Sequence, residues 1–310
     1  MYLIGVDGGG TKTESIIAKE NEEIISFGES GSANIRNVGI DNATSNIAKA
    51  IEDSFTKMKT EGKIEVASIF IGIPSFAEEY RDREGEIRDE IFKKITLFLV
   101  QKERIFIDSD QRVAFRAGTD KRDGVVVIAG TGSVVRGWNK KREHKSCGWG
   151  YLAEVTGAFR VGQRAYQEVA KALDGRREKT LLTEVFLNFF GVKDIIELNK
   201  IVYSKNPIDI ISPASLVVSE AAEKGDSVAR DILNDASREL AIATKNTIDN
   251  LDFREDFPLV LSGGMFKSDI FLENFKREVL KDVSSAKIIL LKEKPTVGAI
   301  KLAKEAIINL

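Results

Sequence analysis

The 310 residues include one cysteine, Cys147, and one histidine, His144. A single thiol excludes an internal disulfide, and so few ligands leave too little for a zinc site or Ser/His/Asp catalysis. His144, in Arg142-Glu-His-Lys145, reads as a solvated loop residue. No uninterrupted apolar run approaches the ~18 residues of a membrane span, and the chain enters its first strand without a charged leader, so neither a spanning helix nor a signal peptide is expected. Charge of one sign is missing too. Lys and Arg (46) nearly balance Asp and Glu (48), and the net charge of −2 leaves no basic field for nucleic acid. No tract is rich in proline, serine or glycine, so short hinges rather than a linker should join the halves of the chain. The expectation is a cytoplasmic protein acting on small molecules, with no nucleic-acid and no membrane partner.

A hydrophobic share of 43% over this length supports two domains with two cores. The organising stretch is Ile4-Gly-Val-Asp7-Gly8-Gly9-Gly10-Thr11-Lys12-Thr13. Residues 2–6 and 14–18 read as paired strands, and a third near 23–28 completes a meander. Three glycines at the tip predict positive φ or a close backbone approach, and backbone N–H groups there suit phosphate. GxxxxGK[ST] is absent, so this is not a Walker loop. Asp7 ahead of the glycines suits a phosphate-bound cation. Val125-Val-Val-Ile-Ala129-Gly130-Thr131-Gly132-Ser133-Val-Val135 repeats strand, Gly/Thr/Ser turn and strand, and Leu259-Val-Leu-Ser-Gly263-Gly264-Met-Phe266 gives strand, glycine pair and helix. Each glycine cluster also has a purely structural reading as a tight turn. Two similar hairpins opening two halves predict a duplicated α/β fold with the turns facing across a nucleotide cleft.

Between these motifs, residues 41–56 carry helical spacing, 66–73 form a continuous apolar strand ending at Pro74, and 84–98 read as a helix. Residues 104–107 form a short strand that delivers Asp108-Ser109-Asp110 to its carboxyl end, where open α/β sheets place ligands. Asp110 could equally cap the helix that follows. Helical patterns resume at 164–173, 178–190 and 195–203, the last two as an insertion ended by 207–213. Helices at 214–223 and 227–251 meet at a Gly turn, 286–291 supply a strand, and Pro295 opens a final helix.

The stretches Asp7-Gly-Gly-Gly-Thr-Lys-Thr13, Ala129-Gly-Thr-Gly-Ser133 and Leu261-Ser-Gly-Gly-Met265 resemble the phosphate 1, phosphate 2 and adenosine motifs of the sugar kinase, heat-shock ATPase and actin superfamily. Within it the chain resembles N-acetylglucosamine kinases and BadF/BadG/BcrA/BcrD-type ATPases over nearly its whole length. The resemblance implies a duplicated ribonuclease H-like (actin-like ATPase) fold, with domains at 1–116 plus a C-terminal helix 296–310, and at 117–295 with a helical insertion. Gly298 and Ala299 would let that last helix pack closely. It further implies an ATP- and Mg²⁺-dependent carbohydrate kinase and a homodimer. Gly8, Gly9, Gly10, Thr11, Lys12 and Thr13 would hold the β- and γ-phosphates, Gly130, Thr131, Gly132 and Ser133 would grip them from the second domain, and Gly263 and Gly264 would admit adenosine. Asp7 would organise the metal ion, and Asp110 would take the acceptor's proton as general base. Asn34, in Gly31-Ser-Ala-Asn34, would bind sugar hydroxyls or else cap the next helix, and Gly148-Trp149-Gly150 would lie beside the sugar, unless Trp149 is simply core.

The chain departs from these kinases after the Gly-Trp-Gly loop. Their acidic pair is replaced by Leu152-Ala-Glu-Val-Thr-Gly-Ala-Phe-Arg160, where only Glu154 is acidic. A lost carboxylate repels an anion less, and Arg160, or Arg36 beside Asn34, could grip a carboxylate, unless both face solvent. A sugar acid of the 2-keto-3-deoxygluconate type is therefore expected slightly ahead of N-acetylglucosamine or a hexose. Two other classes remain: an ATPase activator with an iron–sulfur cluster, for which Cys147 gives only two thiolates per homodimer, and an ATP-binding switch.

Overall fold

The structure, a computed structural model, describes residues 1–60 and 62–308; residues 309 and 310 of the expected final helix lie outside the described residues. The chain forms two compact units, Met1–Arg122 with Leu290–Leu310, and Asp123–Ile289.

The first unit opens with β1 (Tyr2–Gly8), β2 (Thr13–Lys19) and β3 (Ile24–Ser30), an antiparallel meander. After α1 (Ile35–Lys57), β4 (Ile64–Ile73) lies parallel to β1. Then follow α2 (Glu84–Lys94), the two-residue β5 (Phe98–Leu99), β6 (Ile105–Ser109) parallel to β4, and α3 (Asp110–Gly118). Alternate residues of β1 serve opposite faces. Ile4 and Val6 join the core under α1 with Ile47 and Ile51, whereas Leu3 joins Val113 of α3. Both faces are covered, which explains why these strands read as continuous apolar runs.

The second unit repeats the plan. Strands β7 (Gly124–Ala129), β8 (Ser133–Asn139) and β9 (Arg142–Ser146) form the meander. Helices α4 (Ala158–Leu173), α5 (Leu181–Phe190), α6 (Ile195–Val202), α7 (Pro207–Ile211), α8 (Ser215–Glu223) and α9 (Ser227–Leu251) precede β10 (Phe257–Ser262), which is parallel to β7. Helix α10 (Asp269–Leu280) and β11 (Ala286–Leu290) complete it. The sheet order β11-β10-β7-β8-β9 mirrors the path β3-β2-β1-β4 with β6 on β4. The fold is thus a duplicated α/β plan. The chain then returns to the first unit as α11 (Pro295–Ile308), whose Ala299, Ile300 and Ala303 join Leu3 and Val113.

Four local expectations are corrected. His144 is not in a loop but on β9, opposite Gly137; Arg142-Glu-His-Lys carries no apolar alternation, so only pairing with β8 reveals the strand. Residues 207–213 contain α7 rather than ending the helical insertion, because Asn206 caps Ile208 N and Pro207 sits in the first turn. Helix α4 begins at Ala158, six residues before its regular apolar spacing, behind Gly157 at φ 88°. Helix α2 stops at Lys94, and Phe98 pairs with β4 instead. Among the described residues no helix is long and apolar enough to cross a membrane.

Candidate active site

The carboxyl ends of β1, β4 and β6 are aligned by their register. Asp7 stands opposite Gly72, and Gly72 opposite Asp108. Asp110 follows as the first residue of α3. A Cβ on Gly72 would lie 3.1 Å from Asp110 Cα and 2.7 Å from Val113 Cγ2, so the missing side chain is what seats α3 on the end of β4. The capping alternative for Asp110 is answered by its neighbour. Ser109 is the N-cap, its hydroxyl accepting from Arg112 N at 3.2 Å. The Asp110 carboxylate instead accepts from Gln111 Nε2. Asp7 is half-buried, and burial, reinforced by Asp110 and Glu14 and opposed by Lys12, pushes its carboxyl up to about 8. A carboxyl so placed is short of positive charge, which a cation would supply.

The first glycine turn closes through Gly9 N to Lys12 O at 2.8 Å. None of Gly8, Gly9 and Gly10 has positive φ; close approach is what excludes side chains at the first two. A Cβ on Gly8 would meet Gly72 O at 2.7 Å and one on Gly9 would meet Lys12 O at 2.6 Å, while Gly10 has nothing within 4 Å. Thr11 and Lys12 are exposed at the tip, with Lys12 Nζ 2.6 Å from Glu14 Oε1. Thr13 is buried, and its hydroxyl donates to Gly31 O at 2.7 Å, so it is committed within the protein. The same turn holds the Asn34 segment, since Ala33 N donates to Gly9 O at 3.1 Å. Asn34 Oδ1 caps α1 by accepting from Arg36 N at 3.1 Å. Arg36 itself is engaged with the Glu79 carboxylate.

In the second unit the corresponding turn closes through Gly130 N to Gly132 O at 2.9 Å. Thr131 is exposed, and Gly130 and Gly132 have nothing within 4 Å of a Cβ position. Ser133 matches Thr13. It is buried and its hydroxyl is paired with that of Thr156. The first turn of α4 supports this loop, as Ala158 N and Phe159 N donate to Gly130 O (2.8 Å) and Thr131 O (3.0 Å). Sequence reasoning missed Thr156 and Gly157; a hydroxyl followed by glycine ahead of an amphipathic helix was the available signal. It also missed Gly72, hidden inside an apolar run.

After β10, Gly263 has φ 110° and a Cβ there would meet Ala129 O at 2.3 Å, whereas Gly264 has open space. Gly263 is therefore fixed by the fold and Gly264 faces room. In the Gly148-Trp149-Gly150 loop, Trp149 is 61% exposed and not core. Lys145 Nζ lies 4.2 Å over its ring, and Glu154 Oε1 accepts from Trp149 N at 2.7 Å. Arg160 Nη1 donates to Gln163 Oε1 at 2.6 Å, and Arg160 faces Arg164, Asp235, Arg238 and Glu239 around a separate cavity of about 420 Å³. Cys147 has its thiol pushed up to about 12, by burial first and by Glu154 second.

Known proteins match the chain over nearly its whole length. The chain is 28% identical over 308 residues to the N-acetylmuramic acid/N-acetylglucosamine kinase of Clostridium acetobutylicum, covering 98% of each. It is 30% identical over 317 residues to the N-acetyl-D-glucosamine kinase of Dictyostelium discoideum, covering 97% of each. Among solved structures, a Chromobacterium violaceum protein assigned as an N-acetylglucosamine kinase superposes with TM-score 0.76 at 22% identity, over 97% of this chain and 98% of that one. A ROK family glucokinase from Streptomyces griseus, in complex with glucose and AMPPNP, gives TM-score 0.62 at 16% identity over 99% of both chains. These structural likenesses show the fold, that of the actin-like ATPases and sugar kinases. A family model covers residues 4–303, and the chain belongs to the BadF/BadG/BcrA/BcrD ATPase family.

Proposed function

We propose that the protein is an ATP-dependent kinase of an N-acetylated amino sugar, phosphorylating a hydroxyl of N-acetylglucosamine or a close analogue. It is a phosphotransferase with an alcohol acceptor. The observation that carries the reading is the electrostatic pairing of Asp7, at the end of β1, with Asp110, which opens α3 just past the end of β6, the two flanking the end of β4 at Gly72. The residues fit the groups a kinase needs. A Cβ at Gly10, Gly130, Gly132 or Gly264 would meet nothing of the protein within 4 Å, so the backbone there is open to an approaching ligand, and Asp7 is a carboxyl short of a counter-charge. Among the described residues no cluster of three or more His, Cys, Asp or Glu could hold a metal alone, which suits Mg²⁺ arriving with phosphates.

Bound ATP with Mg²⁺ supplies the phosphoryl group and the positive charge that neutralises it. The protein's part is positioning. In the first unit Gly10, Thr11 and Lys12 at the exposed tip would offer backbone and side-chain groups to the phosphates; in the second unit the turn at Thr131 and Gly132 offers a similar surface, and Gly264 would admit adenosine. Asp7 orients the cation. Asp110 accepts the proton of the attacking hydroxyl, and the Asn34 amide and the exposed Trp149 face bind the sugar. Thr13 and Ser133, first expected on the phosphates, brace the turns from inside.

The sugar-acid preference is given up. Arg36, expected to grip a substrate carboxylate, is engaged by Glu79, and Arg160 is engaged by Gln163, so neither argues for an anionic acceptor over a neutral one. The Clostridium and Dictyostelium relatives are both named for N-acetylglucosamine, and this acceptor leads. A cluster-bearing activator is disfavoured because the chain has one cysteine, so a homodimer would bring only two thiolates. The reading includes a homodimer in the cytoplasm.

The test is ADP release against N-acetylglucosamine, N-acetylmuramic acid, glucose and 2-keto-3-deoxygluconate, with Asp110→Asn alongside. N-acetylglucosamine should turn over fastest, and Asp110→Asn should lose on the order of a hundredfold or more in kcat while still binding ATP. ADP release that ignores every sugar would make the protein an ATP-binding switch.

A further inference from the structure

We propose that Lys294 is a positioning residue for the nucleotide: it shares the Glu14 carboxylate with Lys12, and so lets Lys12 leave that carboxylate for the phosphates of ATP. This rests on the reading of Lys12 as a phosphate ligand. Lys12 stands at the tip of the first glycine turn with its side chain 61% exposed, yet its Nζ is held 2.6 Å from Glu14 Oε1. Lys294, 280 residues further along the chain and just ahead of α11, reaches the same oxygen at 3.1 Å. Its ammonium also lies 5.8 Å over the Phe27 ring of β3, which gives this long side chain a second hold beside β2.

The strand register explains why one lysine is not enough. Asp7, Glu14 and Glu29 are direct cross-strand partners on β1, β2 and β3, so three carboxyl side chains start from one row, where like charges repel. Glu14 is the middle member, and only 16% of its side chain is exposed. If Lys12 alone compensated Glu14, drawing Lys12 to a phosphate would strand a largely covered carboxylate, and the attraction to the phosphate would be offset by the loss of that pair. Lys294 removes the conflict. With a second ammonium on the same oxygen, the carboxylate stays paired after Lys12 has gone.

The experiment measures AMPPNP binding with Mg²⁺ by titration calorimetry, alongside kcat and KM for ATP and for sugar. It uses Lys294→Met, Lys294→Arg and Lys12→Met, and also Lys294→Met combined with Lys12→Met or with Glu14→Gln. Lys294→Met should weaken AMPPNP binding about two- to fivefold and raise KM for ATP to match, with kcat and KM for sugar changed less than about 1.5-fold. Lys294→Arg, which keeps the charge, should bind as wild type does. Lys12→Met should itself weaken binding, and Lys294→Met added to it should change Kd less than about 1.5-fold, because the side chain to be released is gone. The same small change is expected on Glu14→Gln, where no carboxylate is left to share. Unchanged affinity in Lys294→Met, or an equal loss in Lys294→Arg, overturns the proposal while leaving Lys12 on the phosphates. So does an undiminished loss in either combined variant, since Lys294 would then attract the phosphates directly. Wild-type affinity in Lys12→Met overturns the reading of Lys12 as a phosphate ligand, and the proposal with it. If Lys294→Met fails to fold, Lys294→Gln is read by the same criteria.

Discussion

Asp7 shows how one carboxyl records the site around it. Burial raises its pKa first, Asp110 and Glu14 add repulsion, and Lys12 only partly opposes them, so the folded value sits at about 8 against 3.8 unperturbed. The sign of the linkage follows. Between pH ~4 and ~8 the folded state keeps a proton that the unfolded state has released, so the ligand-free protein should lose stability as pH rises through that window. Asp7→Asn removes the titration. It should flatten the dependence and stabilise the ligand-free protein at pH 8 by on the order of 2 kcal/mol, while impairing turnover. Thermal melts from pH 5 to 9 on both proteins, without nucleotide, check this; parallel curves would show that Asp7 is not the group. The tip residues divide in the same way. Thr11 and Thr131 are exposed, whereas Thr13 and Ser133 turn inward. Thr13→Val should therefore act through stability and Thr11→Val through KM for ATP.

At the scale of elements, glycines that look alike in sequence do different things. A Cβ on Gly298 of α11 would come within 2.0 Å of Val113 O and 2.4 Å of Ala117 N, so α11 and α3 touch backbone to backbone there. Gly298→Ala must push the helices apart, at an expected cost of about 1–3 kcal/mol. Because α3 carries Asp110, kcat should fall as well. Gly10 is the contrast. It has nothing within 4 Å, and Gly10→Ala should leave the stability of the ligand-free protein within about 0.5 kcal/mol while raising KM for ATP. Chemical denaturation with steady-state kinetics separates the two. Equal destabilisation by both substitutions would contradict the geometry.

The whole molecule is two units of one plan, each an antiparallel meander extended by parallel strands and covered by helices. If ATP with Mg²⁺ binds the folded protein alone, saturating AMPPNP and Mg²⁺ should raise its stability by about 2.7 kcal/mol at a hundredfold excess over Kd. Asp7→Asn should reduce the Mg²⁺-dependent part. A melt unmoved by nucleotide would count against the kinase reading at its root. Sedimentation should give twice the 34.3 kDa chain mass if the homodimer is right.

The sequence by itself determined what depends on near neighbours in the chain. The two Gly/Thr turns between apolar strands were legible because a turn needs its residues consecutively. Helix α9 was legible to its ends because Asp226 caps it and its apolar spacing runs unbroken over 25 residues. The run Asp108-Ser109-Asp110 was placed at a strand end because a short apolar stretch precedes it, and the family resemblance singled out Asp110 within it. The tertiary structure alone decided what depends on partners distant in the chain. Strand β9 exists because β8 pairs with it, and Arg36 is engaged because Glu79, 43 residues on, comes beside it. Gly72 was invisible as a site residue until α3 was seated against it, and Thr13 could be taken from the phosphates only once Gly31 O was known to accept its hydroxyl. The reason is common to all of these. Propensity and periodicity act over a few residues, but which polar group is satisfied, and by what, is set by the packing of the completed fold.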